Sequence, residues 1–124
     1  MSDHRKLEVW HLACAQADRC DAAVAYLPQR VQKNLGDQLA RSSESIHLLL
    51  AEGCGLNSDR QLIAFVRRAL GSANEVEDCL TRLMKRQLLK PADHDLLANA
   101  VTVRKKLGAL LQTLRRDQGD DRRR

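Results

Sequence analysis

Residues 65–80 read FVRRALGSANEVEDCL, and their apolar residues recur at the spacing of an α-helix. In the middle of this run, Gly71, Ser72 and Ala73 have some of the smallest side chains available. A glycine inside a helix costs about 0.5–1 kcal/mol relative to alanine. The small residues therefore predict a place where a neighbouring backbone or a long side chain comes close. We expect a tight helix crossing inside the fold, with a subunit interface or a ligand notch as the alternative.

The helix that contains this run is predicted to be the longest, with about 30 residues or about 45 Å at about 1.5 Å per residue. Asn57 or Ser58 is expected to cap its N-terminus, and Gln61 stands three residues after Ser58, as in a capping box. An uninterrupted aliphatic stripe along the helix indicates packing against a core. The stripe consists of Leu62, Val66, Ala69, Ala73, Val76, Leu80 and Leu83.

Three further helices are predicted on either side of this one. The first spans about residues 7–26, and Pro28 marks the corner that follows it. The second ends at residues 53–55, where a glycine in the left-handed conformation is expected to close it. The fourth opens at Lys90-Pro91. The seams of the second and fourth helices are Leu35, Leu39, Ser42, Ile46 and Leu49, and Leu96, Ala100, Val103, Leu107, Leu110 and Leu114, the latter widened by Leu97, Val101 and Leu111.

Four amphipathic helices joined by short connections pack best as an antiparallel up-and-down four-helix bundle, so an all-α fold is predicted. The length of 124 residues fits one domain. Residues 1–116 are assigned to the bundle domain, and the charged residues 117–124 are predicted to form a disordered tail. Because Trp10, Tyr26 and Phe65 are the only aromatic residues, the core must be aliphatic. The same scarcity argues against binding that stacks successive bases on a row of aromatic side chains.

The net charge is weak evidence about partners. It is +5, from 21 lysines and arginines against 16 acids. The last ten residues, RRDQGDDRRR, contribute five arginines against three aspartates. A charge of this size favours solubility and attraction to a phosphate backbone. A solvated surface with a disordered basic tail is the simpler explanation.

The cysteines and histidines make no metal-binding pattern. Cys14, Cys20, Cys54 and Cys79 lie far apart without a CxxC pair, and the histidines complete no zinc motif with them. The N-terminal MSDHRK has no apolar signal segment, so reduced cysteines and a cytoplasmic location are expected. No apolar run approaches the roughly 18–20 residues of a membrane span. We expect no metal, no cofactor and no membrane.

Catalytic arrangements are also missing from the sequence. Glu75 and Glu77 stand two positions apart on a helix and point to different sides. The Glu-x-x-His signature of di-metal bundles is absent. Ser42 and Ser43 lack the Gly-x-Ser-x-Gly elbow of a nucleophile. The sequence therefore predicts a protein that is not an enzyme.

Polar side chains form a second row beside the seam on each of the two central helices. If these helices fold back near residue 55, Gln38 faces about Ser72, and Arg41 lies level with residues 69–72 and reaches Glu75. A half-buried pair of Arg41 and Glu75 would set the register between the helices and make Glu75 structural. The candidates for structural or interface roles are Gln38, Arg41, Ser45, Glu52, Gly71, Ser72 and Glu75.

These stretches together resemble the four-helix bundle protein family, also called the 23S ribosomal RNA intervening-sequence protein family. The resemblance covers about residues 7–114. The chain departs from the family pattern at Leu49, where asparagine is usual, and at Gly55-Leu56, where the family has a glycine-arginine step. The matching positions are Leu7-Glu8-Val9-Trp10, Gln38-Leu39-Ala40-Arg41, Ser45-Ile46, Ala51-Glu52-Gly53, Phe65-Val66, Ala69, Gly71-Ser72, Glu75 and Glu77.

The resemblance implies a small cytosolic bacterial bundle that assembles as a cyclic homopentamer with a central channel. A related branch of the family serves as the accessory protein of diversity-generating retroelements and binds a reverse transcriptase and nucleic acid. The implied partners are further copies of the chain, RNA or DNA, and a reverse-transcriptase-like protein. We expect a nucleic-acid-associated accessory or scaffold protein. The alternative is a protein–protein interaction scaffold that binds no nucleic acid.

Overall fold

The computed structural model describes residues 3–123, with side chains described through residue 119. This part of the chain is all-α, with four long helices and no strand, as the periodicity predicted. In chain order its elements are the 3-10 turn His4–Lys6, helix α1 (Glu8–Val24), the short helix α2 (Gln29–Val31), the π-helical segment Gln32–Gly36, helix α3 (Asp37–Gly55), helix α4 (Asp59–Lys85), the 3-10 turn Pro91–Asp93 and helix α5 (Leu96–Arg123).

The second long helix begins before α3, because α2, the π-helical segment and α3 follow one another without interruption. Gly36 ends the π-helical segment and is buried. A Cβ at this position would lie 3.1 Å from Val24 Cγ1 and 3.3 Å from the Val31 carbonyl oxygen. The absence of a side chain at Gly36 therefore lets the start of this helix pack closely against the end of α1.

Asn57 makes the turn between α3 and α4, with a φ of 53° in the left-handed region. Asparagine visits this region more readily than most residues, because its short polar side chain can hydrogen-bond locally. The prediction that a glycine among residues 53–55 closes α3 in this way is wrong, since no described glycine has a positive φ. Ser58 caps α4 as predicted, and its hydroxyl accepts a hydrogen bond from the Gln61 backbone N–H at 3.3 Å.

The aliphatic seams predicted from the sequence form the core. All the predicted seam residues of α3 and α4 are buried, and those of α5 are buried except Leu110, which is half-buried against the core. Leu97 and Val101 are half-buried, whereas Leu111 is buried in the chain's own core. Of the three residues predicted to widen the seam of α5, Leu111 therefore belongs to the chain's own core. Burying each large aliphatic side chain contributes about 1.5–3 kcal/mol, which is why these seams hold the helices together.

Gly53, rather than Gly71, marks the tight crossing of α3 and α4. A Cβ added at Gly53 would lie 2.8 Å from Phe65 Cβ and 3.1 Å from Leu62 Cδ1. A Cβ added at Gly71 would meet nothing within 4 Å. The expectation of a helix crossing at Gly71 is therefore wrong within the chain, and its role as an interface position stays a prediction.

We expect Gly53→Ala to destabilise the fold and Gly71→Ala to stabilise it. At position 53 the added methyl group pushes α3 away from Phe65, and overpacking of this kind costs about 1–3 kcal/mol. At position 71 alanine gains about 0.5–1 kcal/mol of helix propensity without a steric cost. Chemical denaturation measures both free energies of unfolding. Because both substitutions are glycine to alanine, the gain in helix propensity is the same at the two positions. Equal changes in the free energy of unfolding would therefore contradict the crossing at Gly53.

Helix α5 extends further than the sequence pattern predicted. We predicted disorder from residue 117, whereas the backbone is helical through Arg123. Extending a helix that has already formed adds about one hydrogen bond per residue without a new nucleation cost. A run of charged residues alone therefore does not end the helix.

Arg19 and Arg104 form two of the ion pairs that connect the C-terminal part of the chain to other helices. Arg19 of α1 donates to both carboxylate oxygens of Asp95, at 2.6 and 3.0 Å, and this guanidinium holds the pKa of Asp95 below its usual value. Arg104 of α5 donates to Glu77 of α4 at 2.8 Å. All four side chains retain contact with solvent, so the pairs orient the helices more than they stabilise them.

Candidate subunit interface on α3 and α4

A pair of serines links the two central helices. The hydroxyls of Ser45 on α3 and Ser72 on α4 lie 2.6 Å apart and are half-buried. Ser45 Oγ also lies 3.0 Å from the Ser42 carbonyl oxygen. A hydroxyl has one proton to donate. The arrangement that satisfies both contacts has Ser45 donating to the Ser42 carbonyl and Ser72 donating to Ser45.

Gln38 and Cys79 make a second, weaker contact between the same helices, with 3.9 Å between Cys79 Sγ and Gln38 Oε1. The two contacts pair residue 38 with residue 79 and residue 45 with residue 72. The sequence predicted that Gln38 faces Ser72, so the predicted register is wrong by seven residues. The cause is the position of the turn. Helix α3 runs to Gly55, and the observed pairs centre the reversal between Ser58 and Asp59 rather than at residue 55.

Arg41 and Glu75 do not form the half-buried pair that we predicted. Both residues are exposed, and no ion pair or hydrogen bond joins them in the described part of the chain. Water solvates both charges at the surface, and pairing them would restrict two flexible side chains for little gain. The neighbouring Glu77 is the acid that pairs, through Arg104 of α5.

The remaining predicted residues lie on the same side of α3 and α4 but make no site within one chain. Glu52 is exposed on α3, and Gly71 is exposed on α4. Sequence reasoning missed Leu48, which is 54% exposed. The signal was available, because three successive leucines at residues 48–50 cannot all face one side of a helix. We call the outer row the α3–α4 strip: Gln38, Arg41, Ser45, Leu48 and Glu52 from α3, and Phe65, Arg68, Ser72 and Glu75 from α4.

The strip combines features of a surface that docks another protein. The half of the strip nearer the α3–α4 turn holds an exposed leucine, Leu48, and a half-buried aromatic ring, Phe65. The Arg68 guanidinium lies 5.1 Å from the centre of the Phe65 ring. Exposed charges of both signs, such as Arg41 and Glu75, border these groups. Exposed apolar groups flanked by polar and charged side chains are typical of a protein–protein interface.

Neither a metal-binding cluster nor a membrane-spanning helix is present among the described residues. Between residues 3 and 119, no group of three or more His, Cys, Asp or Glu side chains is placed to hold a metal ion. None of the helices in the described part of the chain combines the length and apolarity needed to cross a bilayer.

Aliphatic seams buried between four long helices place this protein in the class of helical-bundle proteins. Within that class, the chain belongs to the family described as 23S rRNA-intervening sequence protein, whose family model matches residues 5–109. This match confirms the resemblance drawn from the sequence motifs. A search among curated proteins found no match.

We expect Ser45→Ala to destabilise the protein more than Ser72→Ala. Removing the Ser45 hydroxyl leaves Ser72 without its partner, whereas removing the Ser72 hydroxyl leaves Ser45 bonded to the Ser42 carbonyl. A hydrogen bond of this kind contributes about 0.5–1.5 kcal/mol, and leaving one group unpaired adds to the loss. Denaturant unfolding of both single variants and the double variant measures the difference. Equal losses that simply add in the double variant would mean that the two hydroxyls do not interact.

Proposed function

We propose that this protein is a non-enzymatic accessory protein that assembles as a cyclic homopentamer and binds nucleic acid. The observation that carries nucleic-acid binding is positive charge that is not neutralised within the chain. Among the described residues, the lysines and arginines in ion pairs with carboxylates are Arg5, Arg19, Arg104 and Lys106. The other lysines and arginines up to residue 116, most of them exposed, have no such partner among the described side chains. Exposed cations attract phosphate backbones, and a pentamer repeats the charge of each chain.

We further infer that the four helices pack antiparallel in an up-and-down order. The contacts of Gln38 with Cys79, and of Ser45 with Ser72, support this inference. As residue numbers rise along α3, the partner numbers fall along α4, which is the pattern of two helices that run in opposite directions. Short connections between all four long helices favour the same order.

Assembly into a ring is proposed through the α3–α4 strip. Leu48 is 54% exposed, and an apolar side chain of this size in the middle of a polar row is better placed against another molecule. Gly71 leaves open space beside the strip, where a neighbouring chain can come close. The family resemblance supports the number of subunits.

We propose that the protein is not an enzyme, because the cysteine and serine side chains buried in its core cannot act as nucleophiles. Cys20 is fully buried, and this burial raises the pKa of its thiol to about 12. Ser43 is fully buried, and its hydroxyl donates to the Ala40 carbonyl at 3.1 Å. Such groups are neither ionised nor accessible to a substrate. The four cysteines are free thiols, which supports a cytoplasmic location.

A protein–protein scaffold without nucleic acid is the second candidate. The mixed charges of the α3–α4 strip favour it, because the strip has two arginines, Arg41 and Arg68, and two glutamates. Alternating charges suit a protein surface better than a polyanion. A reverse-transcriptase-like protein would be one partner of this kind.

We expect Leu48→Glu to break the assembly and Leu56→Glu to leave it intact. Both leucines are exposed, at 54% and 41%, and they differ in that Leu56 lies in the turn beyond α3. Light scattering on the wild-type protein should give a mass several times the 14.0 kDa of one chain. A buried charge at position 48 should reduce this mass to that of a single chain. A wild-type monomer at micromolar concentration, or a ring that tolerates Leu48→Glu, would contradict the proposal.

We expect the affinity for a labelled RNA or DNA strand to fall steeply with salt. Each phosphate neutralised by a lysine or arginine releases counterions, so the logarithm of the affinity decreases linearly with the logarithm of the salt concentration. Fluorescence anisotropy between about 50 and 300 mM salt covers a useful range. Failure to bind any strand at the lowest salt would reject nucleic-acid binding and favour the scaffold.

A further inference from the structure

The positive charge of this chain is concentrated in two short segments. Residues 26–34 (YLPQRVQKN) and 82–90 (RLMKRQLLK) hold six lysines and arginines and no acid. The rest of the chain has 15 lysines and arginines against all 16 acids, for a formal charge of −1. The net +5 of the whole chain therefore comes from these two segments, which we call the basic pole.

The fold brings the two segments of the basic pole together at one end of the helices. Lys90 Nζ lies 3.6 Å from the centre of the Tyr26 ring. A cavity of about 320 Å³ lies between Tyr26 and residues 87–90. A second cavity, of about 250 Å³, lies between Arg30 and Arg86. Segments about fifty residues apart in the sequence thus form one surface with two hollows.

Helix electrostatics explain only some of these charges. Arg82 and Lys85 occupy the last turn of α4, where cations are favoured by the negative end of the helix dipole. Arg30 lies in the first turn of the second long helix, and Lys33 follows three residues later. Cations at this positive end of a helix are disfavoured. Their position therefore lowers the stability of the helix, which points to a functional reason for them.

The cations of the basic pole are available to bind an anion. None of them forms an ion pair in the described part of the chain. Asp93 and Asp95 are already engaged, because Arg19 lies 3.9 Å from Asp93 and donates to both carboxylate oxygens of Asp95. Asp93 also lines the larger cavity, but its charge is offset by Arg19.

Tyr26 gives the basic pole an aromatic surface that folding does not use. Its side chain is 72% exposed, the largest exposure among the large hydrophobic residues of the described chain. Lys90 covers one face of the ring. A planar base can stack on the rest of the exposed ring, and every base has a face suited to such stacking.

Gln87 adds a strained position at the edge of the same cavity. Its φ of 57° lies in the left-handed region, where a helix normally ends with glycine. The chain keeps a long amide side chain here, and that residue lines the cavity beside Tyr26. Strained backbone of this kind is concentrated at functional sites, and an amide can hydrogen-bond to a base edge or a phosphate.

We propose that the basic pole binds a single-stranded nucleic acid, with its phosphates against Arg30, Arg86 and Lys90 and one base stacked on Tyr26. This assignment rests on the proposed nucleic-acid binding and names the surface responsible for it. A single strand fits better than a duplex, because the faces of paired bases are already stacked on their neighbours. A single exposed ring can stack one base but not a series of successive bases, so phosphate contacts dominate the affinity.

The test compares two variants with the same loss of charge. The probes are a labelled RNA strand of about 12 uridines, the matching thymidine DNA strand and a duplex of the same length, a range that suits short single-strand sites. The lysines and arginines replaced in the control variant are exposed and form no ion pair with a described residue. The pole variant is R30Q/K33Q/R86Q/K90Q, and the control variant is K6Q/R60Q/R67Q/K105Q.

We expect the pole variant to lose at least about tenfold in affinity for the single strands at about 100 mM salt, and its salt slope to fall by about 0.7 for each lost phosphate contact. The control variant should lose less than about threefold, because it removes only long-range attraction. Tyr26→Leu should weaken binding at least about fivefold with an unchanged salt slope, and Tyr26→Phe should retain binding. Position 26 is so exposed that neither change threatens the fold.

Each outcome separates this assignment from the proposed function. Wild-type protein that binds no probe rejects both. Wild-type binding with equal losses in the pole and control variants keeps nucleic-acid binding and overturns the basic pole. Binding that polyglutamate competes away as well as RNA does, with no effect of Tyr26→Leu, overturns the single strand in favour of an acidic protein. A preference for RNA or for DNA identifies the strand without affecting the assignment of the surface.

Discussion

The close approach of α3 and α4 at Gly53 is the constraint on which the rest of this structure depends. With only 2.8 Å between a Cβ built there and Phe65 Cβ, no other residue fits without moving a helix. This contact holds the two helices at a separation where the hydroxyls of Ser45 and Ser72 meet. The same separation buries the seams of both helices and leaves Leu48 facing outward. The geometry of the candidate interface therefore depends on glycine, which has no side chain, at position 53.

Apolar periodicity predicts which face of a helix is buried, and it did so here for nearly every seam residue. It does not predict the register between two helices, because sliding one seam along another by a heptad preserves the pattern. The predicted register differs from the observed one by seven residues, which is one heptad. The observed pairs centre the reversal between Ser58 and Asp59, whereas the prediction centred it at residue 55, and this difference produces the slip. The Arg41–Glu75 pair is absent for a different reason, because both side chains are exposed and solvated.

The glycines show a second limit of sequence reasoning. Gly71 was predicted to lie at a helix crossing because two small residues follow it, yet it faces open space. The sequence predicts Gly53, in the Ala-Glu-Gly element, only as part of a helix end, yet the two helices cross there. Both are helical glycines, and only the position of the neighbouring helix distinguishes them. The basic pole was missed for a related reason, since its charges become one surface only when residues 26–34 meet residues 82–90.

Engineered disulfides test the α3–α4 register most directly, because a disulfide forms only when two Cα atoms lie within about 7 Å. The measurement is peptide mass spectrometry after mild oxidation of dilute protein in which Cys79 is replaced by alanine. The structure predicts that Ser45→Cys/Ser72→Cys forms an intrachain disulfide and that Gln38→Cys/Ser72→Cys does not. A disulfide between positions 38 and 72, with none between positions 45 and 72, would contradict the register and the crossing at Gly53 that sets it.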